Sequence, residues 1–327
     1  IPVYLNICHE MEKRCPQAIL INHSNPMAVL CRAMTKYSSI QVIGLCHGVQ
    51  IGIVYLAEVL GVPPEELDTL WIGTNHYHWF TRIRHRGRDV YPEARARLAA
   101  LTGEMRQPMT QALSRLYGHA IVYPYDDHAI EFYPYMTQLA GRVLPYGLDS
   151  ELVKWLGEQG YDRDDATRPA PSPEEAHAAR QAQLADYAAK LAALDLPAGP
   201  TTSLQGEPLG RLIEALASGR REVYIVNIPN RGAVPNLADE AVLEIEAVTD
   251  SCGVRGVFMG AAPLALQGLL AKRTVWQELV ADAGAKGDRQ AALQALLTDE
   301  MAILPDRCEA MLDELLAASK PLLPQFA

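Results

Sequence analysis

The chain has 327 residues, 49% of them hydrophobic, and a formal net charge of −10. This length and apolar content allow one large or two medium domains, and the negative charge argues against a nucleic-acid or anionic membrane partner. None of the six cysteines forms a Cys-x-x-Cys pair, and no apolar run is long enough to cross a bilayer, so we expect a cytoplasmic protein.

The first 80 residues alternate between helix-period and strand-like segments. Helices and strands are predicted in alternation over residues 1–14, 17–22, 26–37, 41–46, 48–60 and 67–80. This alternation is typical of a parallel sheet with crossover helices. We therefore expect an α/β fold in which a partial Rossmann-like parallel sheet, residues 1–75, is followed by an α+β C-terminal domain, residues 76–327.

The second part of the chain has longer helical segments and isolated strands. A helical segment over 92–117 precedes the stretch 121–132, and a proline-rich loop leads into an Ala-rich helix over 174–194. Residues 222–227 and 241–246 are predicted to pair as strands around an Asn-Arg-Gly turn. The final hundred residues are predicted to be largely helical.

Metal-ligating residues follow two of the predicted strands. Cys46 and His76 each come directly after an apolar run, and Asn25 follows a third. A lone cysteine or histidine is more often a packed core residue, but the carboxyl ends of parallel strands meet where ligands bind. A thiolate and an imidazole suit a divalent transition metal, and two ligands leave positions open for substrate. The pattern favours a catalytic metal site.

A locally basic run follows His76 in the sequence. It contains Arg82 and Arg84. One interpretation is a solvated loop, and the other is a clamp for a carboxylate or phosphate, because guanidinium groups match such anions in shape and charge. The sequence leaves both interpretations open.

Several motifs together resemble family 4 of the glycoside hydrolases, which are NAD-dependent and divalent-metal-dependent glycosidases. The resemblance runs from residue 1 to about residue 297, and it rests on Gly44-Leu45-Cys46-His47-Gly48-Val49, Gly73-Thr74-Asn75-His76, Asn227-Ile228-Pro229-Asn230 and the segment from Gly287-Asp288-Arg289 to Leu297. It implies a fold related to lactate and malate dehydrogenases. Members begin with a strand and a glycine-rich turn that binds the dinucleotide, and nothing before Asn25 matches that turn. We therefore expect that the first half of the nucleotide-binding domain, on the order of a hundred residues, is missing.

The resemblance also implies roles for individual residues. Cys46 and His76 correspond to the ligands of a metal that is commonly manganese, and Asn25 to an asparagine that contacts the sugar and the nicotinamide. His47 matches a position associated with substrate hydroxyl contacts or acid assistance. Residues expected in the same substrate crevice are Asn75, Arg82, Arg84 and His128. Asp127 is the expected catalytic base, and the alternative bases are Tyr117, Tyr123, Tyr125 and Tyr133.

The implied reaction is oxidation at C3 of the sugar by NAD, removal of the C2 proton, elimination of the aglycone, addition of water and return of the hydride to C3 by the bound NADH. Cys46-His47-Gly48-Val49 resembles the α-glucuronidase and α-galacturonidase members, and a glycine at position 48 removes an acidic side chain that would repel a uronate. The expected partner is a small oligosaccharide or uronide, and the expected assembly is a homodimer or homotetramer. Alternatives are an α-galactosidase or α-glucosidase of the family, a metal-independent 2-hydroxy-acid dehydrogenase, and an inactive truncated remnant.

Overall fold

The computed structural model describes residues 1–102, 105, 107–129, 131–133, 178, 181–182, 185, 209–300 and 303–326. The chain divides into two compact units, one of Ile1–Tyr146 with Gln205–Ala327 and one of Gly147–Leu204. In the second unit, residues 178, 181, 182 and 185 are helical. Most of the helix predicted over 174–194 therefore lies outside the described residues.

The first elements alternate as the sequence predicts. They are α1 (Pro2–Arg14), β1 (Ile19–Asn22), α2 (Met27–Tyr37), β2 (Gln41–Gly44) and α3 (Gly48–Leu60). β1 and β2 pair in parallel, with Asn22 opposite Gly44. Their carboxyl ends therefore lie side by side, which brings the residues after β1 close to those after β2.

The run predicted as one strand over 67–80 is instead a hairpin. β3 (Leu67–Thr74) and β4 (Tyr77–His85) pair antiparallel and, with β5 (Arg88–Asp89), form a separate three-stranded sheet. The turn is Asn75-His76, and His76 has a positive φ of 60°. The prediction that His76 ends a third parallel strand is thus wrong, because apolar residues on both sides of a two-residue turn hide it.

The predicted strand pair after residue 220 is confirmed. β6 (Val223–Pro229) and β7 (Val242–Asp250) are antiparallel neighbours, and β8 (Gly253–Gly256) extends the sheet. β6 also pairs antiparallel with β2, so the five-stranded order is β1-β2-β6-β7-β8. Strands from before and after residue 75 share one mixed sheet, and the domain boundary at residue 75 stays a prediction.

The remaining α-helices of the first unit, among the described residues, are α4 (Tyr91–Ala100), α5 (Pro108–Tyr117), α6 (Asp126–Ala129), α7 (Leu209–Ser218), α8 (Leu264–Lys286), α9 (Arg289–Thr298) and α10 (Pro305–Ser319). Gly287 ends α8 in a left-handed conformation, and the Asp288 side chain accepts a hydrogen bond from Ala291 N at 3.0 Å to cap α9. None of the described helices has both the length and the apolar character needed to span a membrane.

A close backbone approach fixes the segment that leads into α6. A Cβ at Gly52 of α3 would lie 1.9 Å from the carbonyl oxygen of Val122, so only glycine lets the two backbones meet here. Val122 N also donates to His78 O of β4 at 3.0 Å. The segment around Val122 is thereby held between α3 and the hairpin, and α6 follows it in the chain.

Candidate metal and substrate site

Cys46 lies in the short connection between β2 and α3. Its side chain is buried, and Gly48 N, at the beginning of α3, donates to the sulfur at 3.4 Å. The directed N–H group at the beginning of α3 fixes the position of the Cys46 sulfur. Cys46 also packs in the hydrophobic core cluster that includes Met27, Leu30 and Cys31, so core packing and the N–H group together hold its sulfur in place.

The hairpin turn brings His76 to Cys46. Nε2 of His76 lies 3.5 Å from Sγ of Cys46, although the two residues follow strands of different sheets. Two such atoms sharing one ion at the bond lengths known for zinc would be about 3.5 Å apart. The pair therefore fits a shared divalent metal in both donor chemistry and spacing.

Glu131, which the sequence analysis did not single out, contacts the other side of the His76 ring. Its carboxylate lies 3.3 Å from Nδ1 of His76, and it also accepts from Nδ1 of His128 at 2.6 Å. A carboxylate on the second nitrogen of a metal-binding histidine fixes the ring and its tautomer. The spacing of three between His128 and Glu131 was the available sequence signal, since it puts both on one side of a helical turn.

These contacts set the protonation of the group. Burial opposes the charged imidazolium, but hydrogen bonds to Cys46 and Glu131 outweigh burial and raise the pKa of His76 to about 10. Burial likewise disfavours the Glu131 carboxylate, but hydrogen bonds from His128 and His76 lower its pKa to about 2. Protonated His76 can donate from Nε2 to Cys46 and from Nδ1 to Glu131, and a divalent cation would compete with the Nε2 proton for the imidazole.

Aromatic rings enclose the histidines. The Tyr123 ring stacks on His128 with centroids 4.0 Å apart, and its centroid is 5.0 Å from that of His76. A Cβ placed on Gly48 would meet Tyr123 Cδ1 at 3.4 Å. Position 48 therefore faces the same group of rings, and a larger side chain there would be directed at the site.

A cavity of about 400 Å³ opens beside His76. Its wall includes Asn25, Asn75, Glu131 and, from α8, Arg273 and Trp276. The Arg273 guanidinium lies 3.8 Å from the Trp276 ring centroid and 5.0 Å from that of Phe132, and its Nη1 donates to Glu300 at 2.9 Å. Arg273 belongs to none of the motifs and has no local signal of its own.

Three of the predicted residues lie at this site with partners of their own. Asn25 Oδ1 accepts from Met27 N at 3.2 Å, which leaves its amide nitrogen for a ligand in the cavity. The amide nitrogen of Asn75 donates to Glu244 at 3.2 Å, behind the turn. His47 is half-buried at the beginning of α3, directly after Cys46.

The candidates for the catalytic base lie in different environments. Asp127 belongs to α6 beside His128, but its side chain lies outside what the structure describes. The preceding Asp126 is buried, and its carboxylate accepts from Met109 N and Thr110 N at the start of α5, which gives it a structural task. The Tyr133 hydroxyl donates to that of Tyr117 at 3.2 Å, and burial raises the pKa of Tyr133.

Two further tyrosines were named as alternative bases. Tyr123 is buried within the ring cluster, and Tyr125 is 38% exposed with its ring 6.0 Å from that of Tyr123. Among the described residues, Tyr123 is the tyrosine whose ring contacts the His76 imidazole.

The structure does not bring Arg82 and Arg84 to the site. Both lie along β4, six and eight residues past His76, which at about 3.3 Å per residue puts them about 20 and 26 Å away. Arg82 instead pairs with Asp68 of β3 at 2.8 Å, and Arg84 is exposed. The clamp was expected next to His76 because β4 was not recognised as a strand that leads away from the turn.

Two proteins similar to this chain are glycosidases of Bacillus subtilis. The chain is 28% identical over 330 residues to an α-galactosidase of Bacillus subtilis, covering 100% of the chain and 71% of that enzyme. It is 28% identical over 320 residues to an α-galacturonidase of the same organism, covering 95% of the chain and 69% of that enzyme.

A solved 6-phospho-α-glucosidase from gut microorganisms, in complex with NAD and Mn²⁺, shares the fold. Its TM-score is 0.72 at 20% identity, over 99% of this chain and 72% of that one. The expected α/β fold is confirmed, and NAD with Mn²⁺ is the cofactor pair that the sequence predicted.

Two family models match the chain in succession. The model described as family 4 glycosyl hydrolase matches residues 1–62, and that of the family 4 glycosyl hydrolase C-terminal domain matches residues 71–302. The second alone covers more than half of the chain, so the resemblance and the expected enzyme class, a glycosidase, are confirmed. The protein belongs to family 4 of the glycosyl hydrolases.

Proposed function

We propose that this protein hydrolyses α-linked uronides, and that it uses NAD and a divalent metal held by Cys46 and His76. The observation that carries the metal assignment is the 3.5 Å approach of Cys46 Sγ to His76 Nε2 at the wall of a cavity. When bound, NAD supplies a hydride acceptor and Mn²⁺ a Lewis acid. Cytoplasmic location and homo-oligomeric assembly stay predictions.

The side chains around the cavity can then bind the substrate, orient His76 and transfer protons. Asn25 offers its amide nitrogen to the sugar or nicotinamide from the start of α2. Glu131 holds the His76 ring, and its pKa of about 2 makes it a poor general base at neutral pH. Asp127, on α6 beside His128, is the base that we assign to the C2 proton, and His47 is the group that we assign to the departing oxygen.

Two features support a uronide as the substrate. Gly48 puts no side chain against Tyr123 and the histidines, so no acidic group faces the substrate from this position. Arg273 presents a guanidinium at the cavity wall, and its Nη1 alone has an acceptor among the described residues. Guanidinium groups bind carboxylates with paired hydrogen bonds. The 28% identical α-galacturonidase is consistent with this substrate class.

A neutral α-galactoside is the second candidate. It is favoured by the equally similar α-galactosidase and by Glu300, which already balances the charge of Arg273. A neutral sugar would need only hydrogen bonds from the cavity wall, so the choice depends on whether Arg273 contacts an anion.

The deciding experiment compares kcat/KM of the full-length protein for p-nitrophenyl α-galacturonide and p-nitrophenyl α-galactoside, with NAD and Mn²⁺ supplied. We expect a preference for the uronide of about a hundredfold or more, because an unmatched buried polar group strongly disfavours the wrong substrate. Gly48→Glu should suppress uronide turnover by charge repulsion. Equal rates on the two substrates would exclude the uronide preference and leave the glycosidase assignment in place.

The reaction type has an independent test. If a base removes the C2 proton, product formed in D₂O should carry deuterium at C2, which NMR of the released sugar detects. Product with only hydrogen at C2 would exclude proton removal at that carbon.

A further inference from the structure

A buried carboxylate lies behind the turn that carries His76. Glu244, on β7, is fully buried, and none of the described residues places an arginine or lysine in an ion pair with it. Burying a carboxyl group without a cationic partner costs free energy unless hydrogen bonds replace the lost hydration. Glu244 lies between the five-stranded sheet and the hairpin, where it can attach one to the other.

Besides Asn227 on the neighbouring β6, its polar contacts are with the hairpin turn or next to it. Asn75 Nδ2 donates to Glu244 Oε2 at 3.2 Å. Burial raises the pKa of Glu244, and hydrogen bonds from Asn75 and from the backbone N–H of His76 act against that rise. The nearest imidazole atom is Nε2 of His78, 3.7 Å from Oε2. Glu244 therefore binds both residues of the two-residue turn.

Neighbouring contacts hold the same turn to β7. Thr74 Oγ1 donates to Val242 O at 3.0 Å and accepts from Gln277 Nε2 at 2.9 Å, and Trp71 Nε1 donates to Glu244 O at 2.8 Å. These bonds attach β3 to β7, but none of them reaches Asn75 or His76.

The conformation of the turn needs such support. His76 has φ 60°, which non-glycine residues rarely adopt, and such conformations persist only where their surroundings fix them. The ring is held by Glu131, but the backbone that directs the ring toward Cys46 is held from behind by Glu244. A small rotation at this turn would carry Nε2 away from Sγ.

We propose that Glu244 is a positioning residue for the metal site: its contacts with Asn75 and the His76 backbone set the separation of His76 from Cys46, and thereby the affinity for the metal. The inference rests on the proposed role of Cys46 and His76 as metal ligands. Replacing a group that orients a metal ligand typically lowers the affinity for the metal by about 10- to 100-fold.

The test measures the Mn²⁺ dissociation constant of the full-length protein by electron paramagnetic resonance, together with the melting temperature. Glu244→Gln should weaken Mn²⁺ binding by about 10-fold or more. Glu246→Gln is the matched control, because Glu246 lies two residues along β7 on the same face, near Asp68 and Arg82. It should leave the affinity within about twofold.

A double-mutant cycle completes the test. Asn75→Ala removes the same contact from the other side, so its effect on Mn²⁺ affinity should not add to that of Glu244→Gln. If Glu244→Gln lowers only the melting temperature, or if Asn75→Ala binds Mn²⁺ like the wild type, Glu244 is merely structural and the inference fails. The Asn75→Ala measurement decides the matter if Glu244→Gln does not fold. Failure of the wild type to bind Mn²⁺ would instead overturn the proposed metal site.

Discussion

At the scale of single residues, hydrogen bonds with neighbouring groups fix the positions of the Cys46 sulfur and the His76 ring. The sulfur receives an N–H group at the beginning of α3, and the imidazole is oriented by Glu131. The ring nitrogen that faces Cys46 is thereby distinguished from the one that faces the carboxylate.

Replacing the thiolate tests this arrangement. In Cys46→Ser the Mn²⁺ dissociation constant should rise by more than about 100-fold, since a hydroxyl is a much poorer ligand than a thiolate. The melting temperature should fall by no more than about 5 °C, because the volume hardly changes. Cys252→Ser, at an exposed cysteine, is the control. Unchanged Mn²⁺ binding in Cys46→Ser would remove Cys46 from the metal site.

Arg273 and Arg82 represent two competing locations for a uronate contact. Arg273→Gln should lower kcat/KM for the galacturonide by about 10- to 100-fold and leave the galactoside nearly unaffected, whereas Arg82→Gln should change neither. Arg273→Lys preserves the charge beside Glu300 but loses the forked geometry, so an equal loss in both variants indicates that the fork is what matters. A larger effect of Arg82→Gln would restore the interpretation drawn from the sequence.

At the scale of elements, the hairpin of β3 and β4 is held at both ends. The turn is attached to β7, and at the opposite end Glu66, just before β3, receives hydrogen bonds from Arg86 Nε at 2.9 Å and His85 Nε2 at 2.7 Å. These contacts lower the pKa of Glu66 to about 2. One end of the hairpin therefore positions His76, and hydrogen bonds to Glu66 fix the other end.

The depressed pKa of Glu66 predicts a pH dependence of stability. A carboxylate with a lower pKa in the folded state stabilises the protein above its unfolded pKa, near 4.5, and this contribution is lost as the pH falls toward 2. Glu66→Gln should therefore lower the free energy of unfolding measured with urea at pH 7 more than at pH 3. Glu65→Gln, at the exposed neighbour, should show no such difference. An equal effect of Glu66→Gln at both pH values would contradict the assignment.

At the scale of the whole molecule, one mixed sheet joins early and late parts of the chain. β2 meets β6 where Gly44 pairs with Asn227, and a Cβ on Gly44 would lie 2.8 Å from Asn227 Cβ and 2.9 Å from Cys31 Sγ. The parallel and antiparallel halves of the sheet can approach each other only because position 44 has no side chain.

Gly44→Ala should therefore destabilise the protein by about 1–3 kcal/mol through overpacking. The contrasting variant is Gly268→Ala on α8, where a Cβ meets nothing within 4 Å. That change should stabilise the protein by about 0.5–1 kcal/mol, because alanine loses less entropy than glycine in a helix. Urea unfolding at neutral pH measures both effects, and similar values for the two variants would refute the packing argument.

Sequence reasoning was most successful where a local pattern fixes a local structure. The alternation of α1 to α3 with β1 and β2 was predicted, as was the pairing of β6 with β7, because hydrophobic period and turn residues are read over short windows. It failed at the turn of Asn75 and His76, where apolar residues continue across a change of direction. That single missed turn displaced Arg82 and Arg84 from their predicted place.

What the sequence by itself determined was the chemistry: a thiolate and an imidazole in motifs that resemble one family, with a fold to match. Only the tertiary structure decided which groups surround them. Glu131 follows α6, Glu244 lies on β7 and Arg273 lies on α8, and the three come near His76 through packing between distant segments. Such contacts join residues distant in the chain, and the local sequence around each contains no record of its partner.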